Sequence, residues 1–260
     1  MKPLFAAMWA SGLAMAVASS AGAPVHAGMA QRAAAKMSYA TTLLAAENGY
    51  VTGGAAAILG GSGHFTAAVI DSGLTPKGAY MVRIQSGACG TTGSIKYTLP
   101  TLIADTAGDA MAIGAISAMS VPAPGFSLIV VASNKKVVSC GDLQKPNLVV
   151  HLKGVSGSAA SGTALILLHA PVNGVTEKLG TQVIIYATGL QPKTAQPDHI
   201  HAGLCGKPSP VTYALLTLVP DAKGRAVGGS GITDIIPTTG VSIHIHDSAF
   251  KLVACGNIGS

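Results

Sequence analysis

Aromatic and charged residues are both scarce in this chain. Its 260 residues include one tryptophan, four phenylalanines and six tyrosines, and Asp, Glu, Lys and Arg together make up 10%. The tryptophan, Trp9, falls in an N-terminal segment that reads as a removable leader, so the cores beyond it must be Val, Ile, Leu and Ala. Lys and Arg are scattered, with Lys135-Lys136 the only adjacent pair and no basic stripe interleaved with aromatics. That pattern argues against nucleic-acid binding. The net charge of +6 would at most steer small anions. No nucleophile elbow, P-loop or Gly-x-Gly-x-x-Gly after a strand is present. Carboxylates are few and none are neighbours, which leaves glycosidase chemistry without its pair. Helical periodicity is nearly absent after the leader.

Residues 1–27 have the form of a secretory signal: Lys2 as the basic start, a short apolar run from Leu4 to Val17, and Val25-His26-Ala27 as a small-residue cleavage site. Cleavage after Ala21 is the alternative. The apolar run is short for a bilayer span, so no transmembrane segment is expected after cleavage. The expected location is therefore the bacterial periplasm or the exterior. All four cysteines follow the leader, as suits an oxidising compartment.

From Tyr39 onward, short β-branched and aliphatic runs are broken by Gly, Pro, Asn and Asp every eight to twelve residues. This spacing predicts an all-β sandwich or barrel. Candidate strands include Phe65–Ile70, Tyr80–Gln85, Ser127–Ala132, Leu148–Lys153, Gln182–Ala187, His199–Ala202 and Val241–His246. The Gly/Ala/Ser patches at 53–63 and 154–163 read as loops.

The chain also repeats itself. Gly73-Leu-Thr-Pro-Lys77 leading to Ser86-Gly-Ala-Cys89-Gly90 recurs as Gly189-Leu-Gln-Pro-Lys193 leading to Ala202-Gly-Leu-Cys205-Gly206. Val138-Ser-Cys140-Gly-Asp-Leu143 recurs as Val253-Ala-Cys255-Gly-Asn-Ile258. The repeat implies two domains, 28–145 and 146–260, divided near Gln144-Lys145-Pro146-Asn147. The simplest pairing of the cysteines is within each copy, Cys89–Cys140 and Cys205–Cys255.

The copies differ in one respect that points to chemistry. The second reads His199-Ile-His201 and His244-Ile-His246 where the first reads Arg83-Ile-Gln85 and Ile129-Val-Val131. A strand sends alternate side chains to one face, so each His pair shares a face. If the two strands are neighbours, four imidazoles meet, a donor set suited to copper or zinc. The bland alternative is a polar surface patch, or histidines bonded to Asp198 and Asp247. Those carboxylates would instead serve as partners orienting the imidazoles only if a bulge or loop turned them to the same face. His64, His151 and His169 each stand alone and read as structural.

The second copy resembles the copper/zinc superoxide dismutases and the related extracellular CHRD modules. The residues carrying the likeness are His199-Ile-His201, Asp221-Ala-Lys-Gly224-Arg-Ala226, Ile245-His246-Asp247 and Ala254-Cys255-Gly-Asn-Ile-Gly259. The resemblance implies two tandem Greek-key β-sandwich domains, His199, His201 and His246 as copper ligands, and Cys205–Cys255 as the bridge. His244 is extra, in place to substitute for a missing ligand. Zinc is less expected, because Cys205 to Val211 is short and lacks His and Asp. Leu252 stands where the dismutases carry a guiding arginine, with Lys251 one position off. The function so implied is copper handling or superoxide dismutation, with superoxide or another small anion as substrate. The alternative is a metal-free structural or adhesive module.

Overall fold

Every regular element among the described residues is a β-strand, as short aliphatic runs between turn formers require. In the computed structural model those residues are 37–61, 63–118, 122, 124–155, 157–172, 175–207 and 209–260. The leader expected at 1–27 lies outside them.

The first copy forms β1 (Ser38–Ala46), β2 (Gly53–Gly61), β3 (His64–Ser72), β4 (Ala79–Ser86), β5 (Ile95–Ile103), β6 (Ala110–Ser117), β7 (Phe126–Val131) and β8 (Val137–Asp142). The second forms β9 (Leu148–Gly154), β10 (Ser161–Val172), β11 (Val175–Thr188), β12 (Asp198–Ala202), β13 (Val211–Ala214), β14 (Ala226–Ile232), β15 (Val241–His246) and β16 (Leu252–Asn257). The strands hydrogen-bond in the orders β5-β4-β7-β8-β1-β2-β3-β6 and β13-β12-β15-β16-β9-β10-β11-β14. Adding eight to each label of the first order yields the second, so the sequence repeat is also a repeat of topology. Chain connections from β3 to β4 and from β6 to β7 cross between the halves of each sheet, which is Greek-key connectivity.

Each sheet folds on itself where its first and last strands meet. In the first copy that junction is short, Ala45↔Cys140 and Ala46↔Ser139. The halves then face each other across an aliphatic core, with Ile58, Phe65 and Val69 from one side and Val82, Ile84, Leu128 and Val130 from the other. Val150, Ile166, Val183, Ile185, Ile200, Ile243 and Ile245 fill the second core. The fold is therefore all-β, two tandem sandwiches, as the strand spacing predicts.

The expectation of a loop at 53–63 is corrected: Gly53–Gly61 is β2, paired along its length with both β1 and β3. Its small residues meet a packing demand. A Cβ at Gly54 would lie 2.0 Å from the Ile70 carbonyl oxygen. Ala55 and Ala57 are buried, with Ala68, against Leu165, Ile184 and Val227 of the second copy. The second patch is a loop only in part, since β10 begins at Ser161.

The two cores also divide their polar content differently. In the first copy the Ser139 hydroxyl donates to Asp71 Oδ2 at 2.6 Å and lies 2.7 Å from Thr52 Oγ1. The Thr52 hydroxyl in turn donates to the Val138 carbonyl. The strand registers place Ala160, Ala187 and Ala254 at the equivalent positions of the second copy, all buried. Burial pushes the Asp71 carboxyl up to about 6, against the lowering pull of hydrogen bonds from Ser139, Ser72 and Gly53.

A carboxyl raised in the folded state binds more protons there than in the unfolded chain, whose Asp titrates near 3.9. Its contribution is therefore fully present below about 4, declines as pH rises to about 6, and is constant above. The stability of the wild type minus that of Asp71→Asn should fall across this window in urea unfolding series. A difference that does not change with pH would contradict a protonatable Asp71.

Candidate metal centre

Strand β12 pairs antiparallel with β15 in a register that sets His199 opposite His244 and His201 opposite Ser242. Residues opposite one another point to the same face of a sheet. Ile200, Ile243 and Ile245 occupy the inner face and are buried in the core. The four histidines and Ser242 consequently share the outer face. The alternation of apolar and imidazole residues thus both anchors the strands and gathers the rings.

Ring centroids of His199, His201 and His246 lie 5.4 to 5.9 Å apart. One ring nitrogen from each falls within 4.8 Å of the others. His244 is placed differently. Its ring stacks on His201 with centroids 4.1 Å apart, and one of its nitrogens groups instead with the sulfurs of Cys205 and Cys255. Those cysteines form a disulfide, as do Cys89 and Cys140, matching the pairing expected within each copy.

Hydrogen bonds assign the tautomers. His201 Nδ1 lies 2.9 Å from the Ser209 carbonyl oxygen, which can only accept, so Nδ1 carries the hydrogen. The Nε2 lone pair is then free, and that atom is buried without a partner. Ser242 donates its hydroxyl hydrogen to the Gly203 carbonyl and so accepts from His244 Nε2–H at 3.0 Å. His199 Nδ1 and His246 Nδ1 are also buried without partners. Each member of the converging trio thus leaves one desolvated ring nitrogen unsatisfied, a costly arrangement in the absence of a ligand.

Burial, reinforced by the neighbouring imidazoles, lowers the pKa of His199 and His246. Burial also brings His244 down to about 4, again with help from the other three rings. Imidazoles held neutral in this way present lone pairs at neutral pH. Bonds from such nitrogens to a transition metal run to about 2.0–2.1 Å, so two donors on one ion stand up to about 4 Å apart. The trio is therefore close to the separation that a shared ion needs, and its all-nitrogen donor set fits copper or zinc.

Neither carboxylate considered as an orienting partner has a hydrogen bond to an imidazole among the described residues, although the charge of Asp247 reaches His246 and opposes the lowering of its pKa. Asp198 lies opposite Ile245 on the inner face, 2% exposed, where the first copy has the buried Val82. Its Oδ1 has no hydrogen-bond partner, and burial pushes its pKa well above the usual carboxylate range. Asp247 Oδ1 accepts from the backbone N–H groups of Ala249 and Lys251, closing the turn between β15 and β16. His64 and His151 are exposed strand residues, and His169 occupies a bulge of β10 with φ of 54°.

Two supporting groups escape a reading of the chemistry-bearing residues alone: Ser242, which holds His244, and the Ser209 carbonyl, which orients His201. The first was discoverable, because Ser242 stands two residues before His244 on the same face. The second depends on the path of a loop. Compared with known proteins, the chain matches no family model and no curated protein.

The tautomers are directly observable. Long-range ¹H–¹⁵N correlation of the metal-free protein at neutral pH should show His201 protonated at Nδ1 and His244 at Nε2. The reverse assignment for His201 would remove the donor that this geometry offers to an ion.

Proposed function

We propose that this chain is a secreted or periplasmic copper-binding protein. Its second sandwich holds one ion through His199, His201 and His246, in the manner of the dismutase and CHRD modules it resembles. The observation that carries this reading is the convergence of three histidines, each with one buried, unpartnered ring nitrogen. Two disulfides, and the lack of a long apolar helix among the described residues, are compatible with that location.

The residues divide the work. Ser209, through its carbonyl, locks His201 with Nε2 outward. Ile200 and Ile245, sunk in the core, fix the strands from which His199, His201 and His246 project. The Cys205–Cys255 bridge ties the loop after β12 to β16, the strand beside β15. Held by His199, His201 and His246, copper would supply one-electron redox chemistry of the kind superoxide dismutation uses.

Holding or delivering copper is the better supported use. Leu252 stands where the dismutases carry arginine, and Lys251 is drawn by its backbone into the Asp247 turn. The first copy presents Ile129 and Val131 at the equivalent face and serves as scaffold.

Titration with Cu(II) should load one equivalent and raise the melting temperature. Free metal at 100 times Kd corresponds to about 2.7 kcal/mol of added stability. The variant His199→Ala with His246→Ala should show no such gain. An equal gain in the variant, or none in the wild type, would contradict the reading.

A further inference from the structure

We infer that the Cys205–Cys255 disulfide masks a second metal site. Once reduced, the two thiolates and His244 form a centre for a thiophilic ion such as Cu(I), distinct from the three-histidine centre. The observation is the histidine that the first centre leaves over. One nitrogen of His244 and the sulfurs of Cys205 and Cys255 all lie within 4.8 Å of one another. His244 sits directly opposite Cys255 in the pairing of β15 with β16. Ser242 accepts the Nε2–H of this ring, which leaves Nδ1 as its lone-pair donor.

The first copy supplies the contrast. It carries the same bridge, Cys89–Cys140, with Ile129 opposite Cys140. There the bridge packs against an apolar cluster of Ile129, Val131, Met81 and Val137, with no nitrogen donor among them. The second copy replaces that isoleucine with an imidazole that is only 5% exposed. A fold that needs only the staple is satisfied by isoleucine, so the imidazole beside the sulfurs calls for another account. The flanking acceptor changes as well. The amide of Cys89 donates to the carboxylate of Asp142, whereas that of Cys205 donates to the neutral Asn257. The second copy thus lacks the anion that would repel two adjacent thiolates.

The chemistry balances with a dithiol reductant. Its thiolate attacks the bridge, with Cys205 in a turn between β12 and β13 as the more accessible sulfur. Two electrons and two protons pass to the cysteines, and the reductant leaves as its own disulfide. Cu(I) then displaces both thiol protons, because the thiolate is the ligand. Sulfur donors select Cu(I) among the ions available, and three donors suit its low coordination number. The Cα atoms are 5.9 Å apart and lie on or beside paired strands, so the sulfurs stay together after the bond is broken.

The test uses the full chain carrying His199→Ala and His246→Ala, so that the proposed first centre is absent and failure of one reading is separable from failure of the other. Under anaerobic conditions this protein is titrated with Cu(I) against a chromophoric chelator, oxidised and then reduced by a dithiol. Copper X-ray absorption then reports on the ligands, and circular dichroism on the fold. The reduced protein should bind one Cu(I) with two sulfur neighbours and one nitrogen, and the oxidised protein should bind none. Adding His244→Gln, which leaves both thiols in place, should weaken binding at least tenfold. The proposal is overturned if the reduced protein binds no Cu(I), if binding is indifferent to His244→Gln, or if it occurs only with loss of the β-sheet spectrum.

Discussion

The pairing register of β12 with β15 is the constraint on which the candidate site depends. Because a strand alternates faces, a slip of β12 by one residue would send His199 and His201 into the core and bring Ile200 to the surface, and a slip of β15 would do the same with His244 and His246 for Ile243 and Ile245. The three isoleucines therefore hold the register, and the imidazoles inherit their positions from it. The disulfide acts on the same assembly from the flank. In the chain-entropy picture, closing a loop of about 50 residues contributes roughly 4 kcal/mol. A small aliphatic core with few aromatics gains proportionately more from such a staple than a large one.

Comparing the two copies separates what the fold requires from what is added to it. Strand order and bridges are common to both. Polar groups are not. The first copy sets Asp71, Ser139 and half-buried Thr52 in a hydrogen-bonded row, and by its bridge it has the apolar Ile129 and Val131 beside Arg83 and Gln85. The second fills the matching interior with Ala160, Ala187 and Ala254 and carries its imidazoles on the outer face. Since either interior supports the same sandwich, neither polar set is needed for folding. Imidazoles with unsatisfied buried nitrogens carry a standing cost, and the matching face of the first copy carries one as well, at Arg83 Nε and Ser127 Oγ, while Ile129 and Val131 replace two of the rings there. Asp198 adds to that cost from the inner face, where Val82 serves the first copy without a polar group.

Much of this was readable from the chain. Cysteine pairing followed from the repeat, and the His-x-His spacing assigned each pair to one face. Adjacency of the two His strands was not readable from spacing, because it depends on which strands the Greek-key crossings bring together. β2 escaped notice because Gly53–Gly61 has little β-branched character. Its small residues answer to Leu165, Ile184 and Val227 of the second copy, far away in sequence, and not to local propensity. Nor could spacing separate His244 from the other three. That distinction rests on a hydrogen bond to Ser242 and on stacking against His201.

The most direct test is a crystal structure of the protein loaded with one equivalent of Cu(II), with the metal located by anomalous scattering at the copper edge. The account predicts a single strong peak bonded to one ring nitrogen each of His199, His201 and His246, with His244 still held by Ser242. A copper peak elsewhere on the surface, or an empty cluster with its rings unmoved, would contradict it.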